Sequence, residues 1–90
     1  MSESAPQRSI LIVDDEPDIL AALTEVLDVE GYRVTTAGSA EEALKALEED
    51  RFQLVISDQK MSSGMSGTSF LRKVRRQNPE LPTMILSGYS

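Results

Sequence analysis

The chain has 90 residues, 40% of them hydrophobic, and a formal net charge of -6 from 15 acidic and 9 basic side chains. That is room for one small domain, and the acidic balance argues against nonspecific attraction to DNA or to an anionic membrane surface. Cysteine and histidine are both absent, which removes disulfides, thiolate zinc sites, thiol catalysis and the commonest general base, leaving carboxylate, hydroxyl and lysine for chemistry.

Residues 1–8 read as a flexible polar leader without the apolar core of a signal peptide, and residues 9–90 as the domain. No apolar run approaches the roughly 18 residues of a membrane span, so the chain reads as soluble and cytoplasmic. Ser9 to Val13 is the first expected strand. Pro17 then suits the first turn of a helix, where its missing N–H costs nothing. Ile19, Leu20, Leu23, Val26 and Leu27 share one face of that helix, which runs to about Glu30 and ends at Gly31.

Tyr32 to Ala37 is a second strand, rich in β-formers. Ser39 with Glu42 three residues later is a capping-box signature. It opens a helix that turns Ala43, Leu44 and Leu47 inward and ends near Asp50. Phe52 and Leu54 to Ser57 form the third strand, followed by a loop from Gln59 to Ser66 with Gly64 and Gly67 at its far end. Thr68 to Asn78 is the third helix, with Phe70, Leu71 and Val74 as its apolar stripe and basic residues toward its C-terminal end. Pro79 and Pro82 bracket a turn into a last strand, Thr83 to Ser87. The order βαβαβαβ predicts right-handed crossovers and a parallel α/β sheet with flanking helices.

Short apolar runs that end in carboxylates stand out in this order. Asp14 and Asp15 follow Ile10-Leu11-Ile12-Val13, and Asp58 follows Leu54-Val55-Ile56-Ser57. Runs of this kind read as buried parallel strands, and in open α/β sheets ligands bind beyond the strands' carboxyl ends. Three carboxylates there match the oxygen ligands a hard cation such as Mg²⁺ takes. An Asp58 oxygen could then attack phosphorus to form an acyl phosphate, and the Ser87 hydroxyl could donate to a phosphoryl oxygen. Each residue also has a plainer use: Asp14, Asp15 and Glu16 as helix caps, Asp58 as a turn residue, Ser87-Gly88 as a turn, and Met61 and Met65 as packing. Their joint placement at strand ends weighs toward the functional reading.

Taken together, Ile12-Val13-Asp14-Asp15-Glu16, Asp58-Gln59-Lys60-Met61, Gly67 and Ile85-Leu86-Ser87-Gly88 resemble the receiver domains of two-component response regulators over nearly the whole chain. The resemblance implies a flavodoxin-like receiver fold and a phosphoacceptor module rather than an enzyme, limited to self-catalysed phosphotransfer and dephosphorylation. Carried onto this sequence, it makes Asp14 and Asp15 the Mg²⁺ pair, joined by Asp58 and the Lys60 backbone carbonyl. Asp58 becomes the phosphoacceptor and Ser87 the switch hydroxyl. A histidine kinase or phosphotransfer protein is the implied donor, and an output domain or effector the implied recipient. The loop wording is also similar to receivers attached to cyclic-dinucleotide phosphodiesterase or sensory outputs.

Two departures from the family pattern are visible. Ser62-Ser63 stands where proline is usual, and Gly67 comes one residue late. The pattern also continues with a fourth helix, a fifth strand bearing a lysine, and a fifth helix, none of which follows Ser90. The expectation is therefore a partial receiver with strand order 2-1-3-4. Its first helix is alone on one face, and its last strand is an open edge that favours a homodimer or an element-exchanged oligomer. Rival readings are a phosphorylation-independent interaction or dimerisation module, and a Mg²⁺-dependent phosphatase, whose usual Asp-x-Asp is not present.

Overall fold

The computed structural model describes residues 8–60 and 65–86. Its elements run β1 (Ser9–Val13), α1 (Pro17–Val29), β2 (Arg33–Ala37), α2 (Ala40–Glu49), β3 (Leu54–Asp58), α3 (Gly67–Gln77) and β4 (Thr83–Leu86). The four strands form one sheet in the order β2-β1-β3-β4, and every neighbouring pair is parallel. Among the described residues, both the strand order and the lone position of α1 on its face follow the expectation from sequence.

β1 is central, and this explains its unbroken apolar run. Leu11 and Val13 join Val55, Phe70, Leu71 and Val74 in the core beneath α2 and α3. Ile10 and Ile12 point the other way and, with Ile56, meet Leu20, Leu23 and Leu27 of α1. A strand covered on both faces has no polar side to alternate with. The two layers are unequal: α3 buries Gly67, Phe70, Leu71 and Val74, whereas α1 has no buried residue.

Local signals account for the helix ends. Pro17 opens α1, with Glu16 at the N-cap making no side-chain cap bond. Gly31 adopts φ 95, a left-handed angle that a β-carbon disfavours, and this lets Tyr32 N–H return to the Leu27 carbonyl at 3.1 Å. That return delays β2 to Arg33, one residue later than expected. At α2 the Ser39 hydroxyl accepts from Glu42 N–H at 3.2 Å, while the Glu42 carboxylate accepts from Gly38 N–H at 2.7 Å. The reciprocal bond thus reaches one residue further back than in the usual capping box. Ser66 caps α3 by accepting from Ser69 N–H at 3.2 Å, so that helix starts at Gly67 rather than Thr68.

The first seven residues of the expected leader lie outside the described residues. Arg8, its last, already accepts a backbone bond from Arg33 N–H at 2.7 Å.

Candidate metal and phosphoacceptor site

The parallel register aligns the carboxyl ends of β1 and β3. Val13 pairs with Ser57, so the next residues, Asp14 and Asp58, emerge side by side. Asp14 N–H is tied to the Ala37 carbonyl of β2 at 3.1 Å, which extends the sheet bonding one residue past β1 and fixes where the acidic turn begins. One oxygen from each of Asp14, Asp15 and Asp58 can be chosen so that all three lie within 4.8 Å of one another. The structure thereby brings together the three acids singled out in the sequence.

Their environments differ. Asp14 is only 3% exposed, and its Oδ1 accepts from Glu16 N–H at 2.9 Å. This bond closes the turn into α1, so the capping reading of Asp14 holds in part: the carboxylate satisfies a backbone donor and also faces the cluster. Burial is the main force raising the Asp14 pKa above the ordinary carboxylate value. The Glu16 N–H bond opposes it, and the charges of Asp58, Asp15 and Glu16 add to it. Asp15 and Asp58 are half-buried.

A dense set of hard oxygen donors, one of them disfavoured as an anion by burial and by its neighbours, fits a small divalent cation. Such an ion relieves both strains together. Asp14, Asp15 and Asp58 are the side chains that could hold it.

Lys60 is exposed and lies two residues beyond Asp58 on the loop that leads to α3. Ser87 lies outside the described residues; the residue before it, Leu86, is the register partner of Asp58. Residues 61–64 of the loop, including Met61, Ser62, Ser63 and Gly64, also lie outside the described residues.

One residue beside the site carries no motif that marks it in the sequence. Ser57 is fully buried, and its hydroxyl donates to the Asp58 main-chain carbonyl at 3.0 Å. The available signal was a polar residue closing the apolar run Leu54-Val55-Ile56.

Comparison with known proteins agrees with this geometry. The family model described as response regulator receiver domain matches residues 10–90. The C4-dicarboxylate transport transcriptional regulatory protein DctD of Rhizobium meliloti is 36% identical over 81 residues, covering 90% of this chain but only 17% of that protein. The chain therefore spans about a sixth of this longer relative. Among solved structures, the chemotaxis protein CheY4 of Vibrio cholerae superposes with a TM-score of 0.85 at 33% identity, covering 94% of this chain and 72% of that one. The response regulator TrrA of Thermotoga maritima, solved in complex with Mg²⁺–BeF, gives 0.81 at 40% identity, covering 89% and 68%.

Proposed function

This chain belongs to the response regulator receiver domain family, and from that premise we propose that it is a phosphoacceptor module switched by Mg²⁺-dependent phosphorylation of Asp58. The observation that carries the proposal is the convergence of Asp14, Asp15 and Asp58 at the carboxyl edge of a parallel sheet, where ligands of such folds bind. This convergence favours the phosphoacceptor over a phosphorylation-independent interaction module. The Mg²⁺–BeF complex of the similar TrrA supports the choice of ion.

In this reading Asp14, Asp15, Asp58 and the Lys60 carbonyl hold Mg²⁺, which when bound neutralises phosphoryl oxygens. An Asp58 carboxylate oxygen forms the new bond to phosphorus, while the donor's bond to phosphorus breaks and its electron pair leaves with the donor. Asp14, anchored through Glu16 N–H and Ala37, keeps the acidic edge in register with β3. The Ser87 hydroxyl donates to a phosphoryl oxygen of the acyl phosphate, a bond available only after transfer, so it serves as the switch. Catalysis by the chain itself is limited to its own phosphotransfer and slow hydrolysis.

The donor is a histidine kinase or phosphotransfer protein, and the change passes to an output domain or effector in the cytoplasm. The much greater length of the transcriptional regulator DctD supports an output outside the receiver. Direct nucleic-acid or membrane binding by this domain is not part of the proposal: its charge is acidic, and no helix among the described residues is long and apolar enough to cross a membrane. In this reading residues 9–90 are the receiver domain and 1–8 its leader.

The test is incubation with Mg²⁺ and acetyl phosphate followed by intact-mass measurement. The expected result is one added phosphoryl group that is lost in Asp58→Asn. Equal labelling of the variant would place the phosphate elsewhere and sink the assignment.

A further inference from the structure

We propose that Ser57 is a positioning residue for the phosphoacceptor: its buried hydroxyl holds the Asp58 peptide in the orientation that presents the Asp58 carboxylate to the acidic cluster. This rests on the reading of Asp58 as phosphoacceptor and adds to it a residue outside the carboxylate set.

Asp58 is the last residue of β3, where the chain turns out of the sheet into a loop. Two separate features act on its main-chain carbonyl. The Ser57 hydroxyl, sealed from solvent, donates to it at 3.0 Å. On another side Gly67 approaches so closely that a Cβ there would overlap the same oxygen and stand 2.9 Å from the carbonyl carbon. The next carbonyl, that of Gln59, is taken by Gly67 N–H at 3.1 Å. The carbonyls of Asp58 and Gln59 are thus both assigned before the loop reaches Lys60.

A carboxylate joined through only Cα and Cβ to a peptide carbonyl held in this way starts from a narrowed range of positions. Phosphoryl transfer depends mainly on such positioning, because the protein has little covalent work to do beyond it. A buried hydroxyl must also find a partner, since one left unpaired is disfavoured. Ser57 meets that need with the carbonyl of the phosphoacceptor's own residue.

The experiment compares the unsubstituted chain with Ser57→Ala and Ser57→Thr. Phosphorylation rate at saturating acetyl phosphate and Mg²⁺ is measured alongside the half-saturating Mg²⁺ concentration, at a temperature where circular dichroism shows each variant folded. Removing the hydroxyl is expected to slow the step by roughly three- to tenfold. Mg²⁺ half-saturation should stay within about twofold, and threonine, which retains the donor, should restore the rate. A Ser57→Ala rate equal to that of the unsubstituted chain would mean that the hydroxyl serves stability alone and would overturn the proposal. If the alanine variant does not fold, Ser57→Cys takes its place, keeping the volume with only a weak donor, and an unchanged rate there has the same meaning. No adduct on the unsubstituted chain would instead overturn the phosphoacceptor reading, and this inference with it.

Discussion

Gly67, the first residue of α3, lies against the Asp58 peptide with no room for a side chain: a Cβ would come to 2.9 Å from the Asp58 carbonyl carbon and 3.0 Å from Gln59 Cα. These obstacles are backbone, so they cannot swing aside. Gly67→Ala should therefore lower stability by about 2 kcal/mol or more and disturb the acidic site. Gly31 gives the contrast, because its Cβ would meet nothing within 4 Å and only its angle resists substitution. Gly31→Ala should cost about 1 kcal/mol and leave Mg²⁺ binding intact. Thermal melts with and without Mg²⁺ separate the two. Equal losses, or an unchanged Mg²⁺ response in Gly67→Ala, would contradict the link from α3 to the site.

Mg²⁺ should stabilise the chain as a ligand of the native state. At a free concentration 100 times its dissociation constant the gain is about 2.7 kcal/mol, provided the unfolded chain does not bind. Asp58→Asn removes one of the three converging carboxylates and should shift the Mg²⁺ titration to at least about tenfold higher concentration. A melting temperature that does not respond to millimolar Mg²⁺ would show that the cluster is not a cation site.

Asp14 makes the metal-free site pH-dependent in a direction fixed by its raised pKa. Above that value both folded and unfolded chains carry the charge, and the fold bears the whole cost of burying it. As pH falls through the raised value toward the ordinary 3.8, the folded state takes up its proton first, so this contribution moves in favour of folding. Asp14→Asn removes the charge while its amide oxygen can still accept from Glu16 N–H. Without Mg²⁺ at neutral pH it should raise the melting temperature by a few degrees, on the order of 1 kcal/mol for a domain of this size. The advantage should shrink as the pH drops through the Asp14 range, and Mg²⁺ should stabilise the variant less than the parent. A variant less stable than the parent at neutral pH without metal would refute this account.

The sheet order and the acidic trio were legible because each depends on strong local patterns. Ile10 to Val13 could be read as a strand covered on both faces, and a carboxylate directly after such a strand has only one edge to reach. Ser39 and Glu42 were equally readable as a cap, although the side-chain bond to Gly38 rather than to the cap residue depends on how the chain enters α2. The role of Ser57 is not legible in the sequence, since a serine at a strand end has no periodicity of its own and its burial and its bond to the next carbonyl belong to the folded geometry. Ser66 is not legible as a cap, because glycine at the first helical position makes Thr68 look like the start. In sequence a glycine at the end of a loop suggests backbone freedom, whereas the φ of Gly67 is not left-handed and the constraint is contact with Asp58.

The two sheet edges predict how the chain associates with itself. Among the described residues, β2 and β4 each pair on one side only, leaving a row of backbone groups open to another strand. β2 carries Arg33, Thr35 and Thr36 along that edge. β4 instead presents Met84 at 51% exposure and Ile85 at 37%. Met84 lies level with Ile56, on the face where α1 has no buried residue and leaves Val26 exposed at 61%. An open strand with apolar side chains favours pairing, while arginine and threonines weaken it, so association should run through β4 and form a homodimer or an element-exchanged oligomer. Sedimentation at tens of micromolar should show a species heavier than the monomer. Met84→Lys should shift it toward monomer without lowering the stability of the monomer by more than about 0.5 kcal/mol, because the side chain is half in solvent. A compact monomer for the unsubstituted chain over that range, or the same association after Met84→Lys, would rule out β4 as the contact.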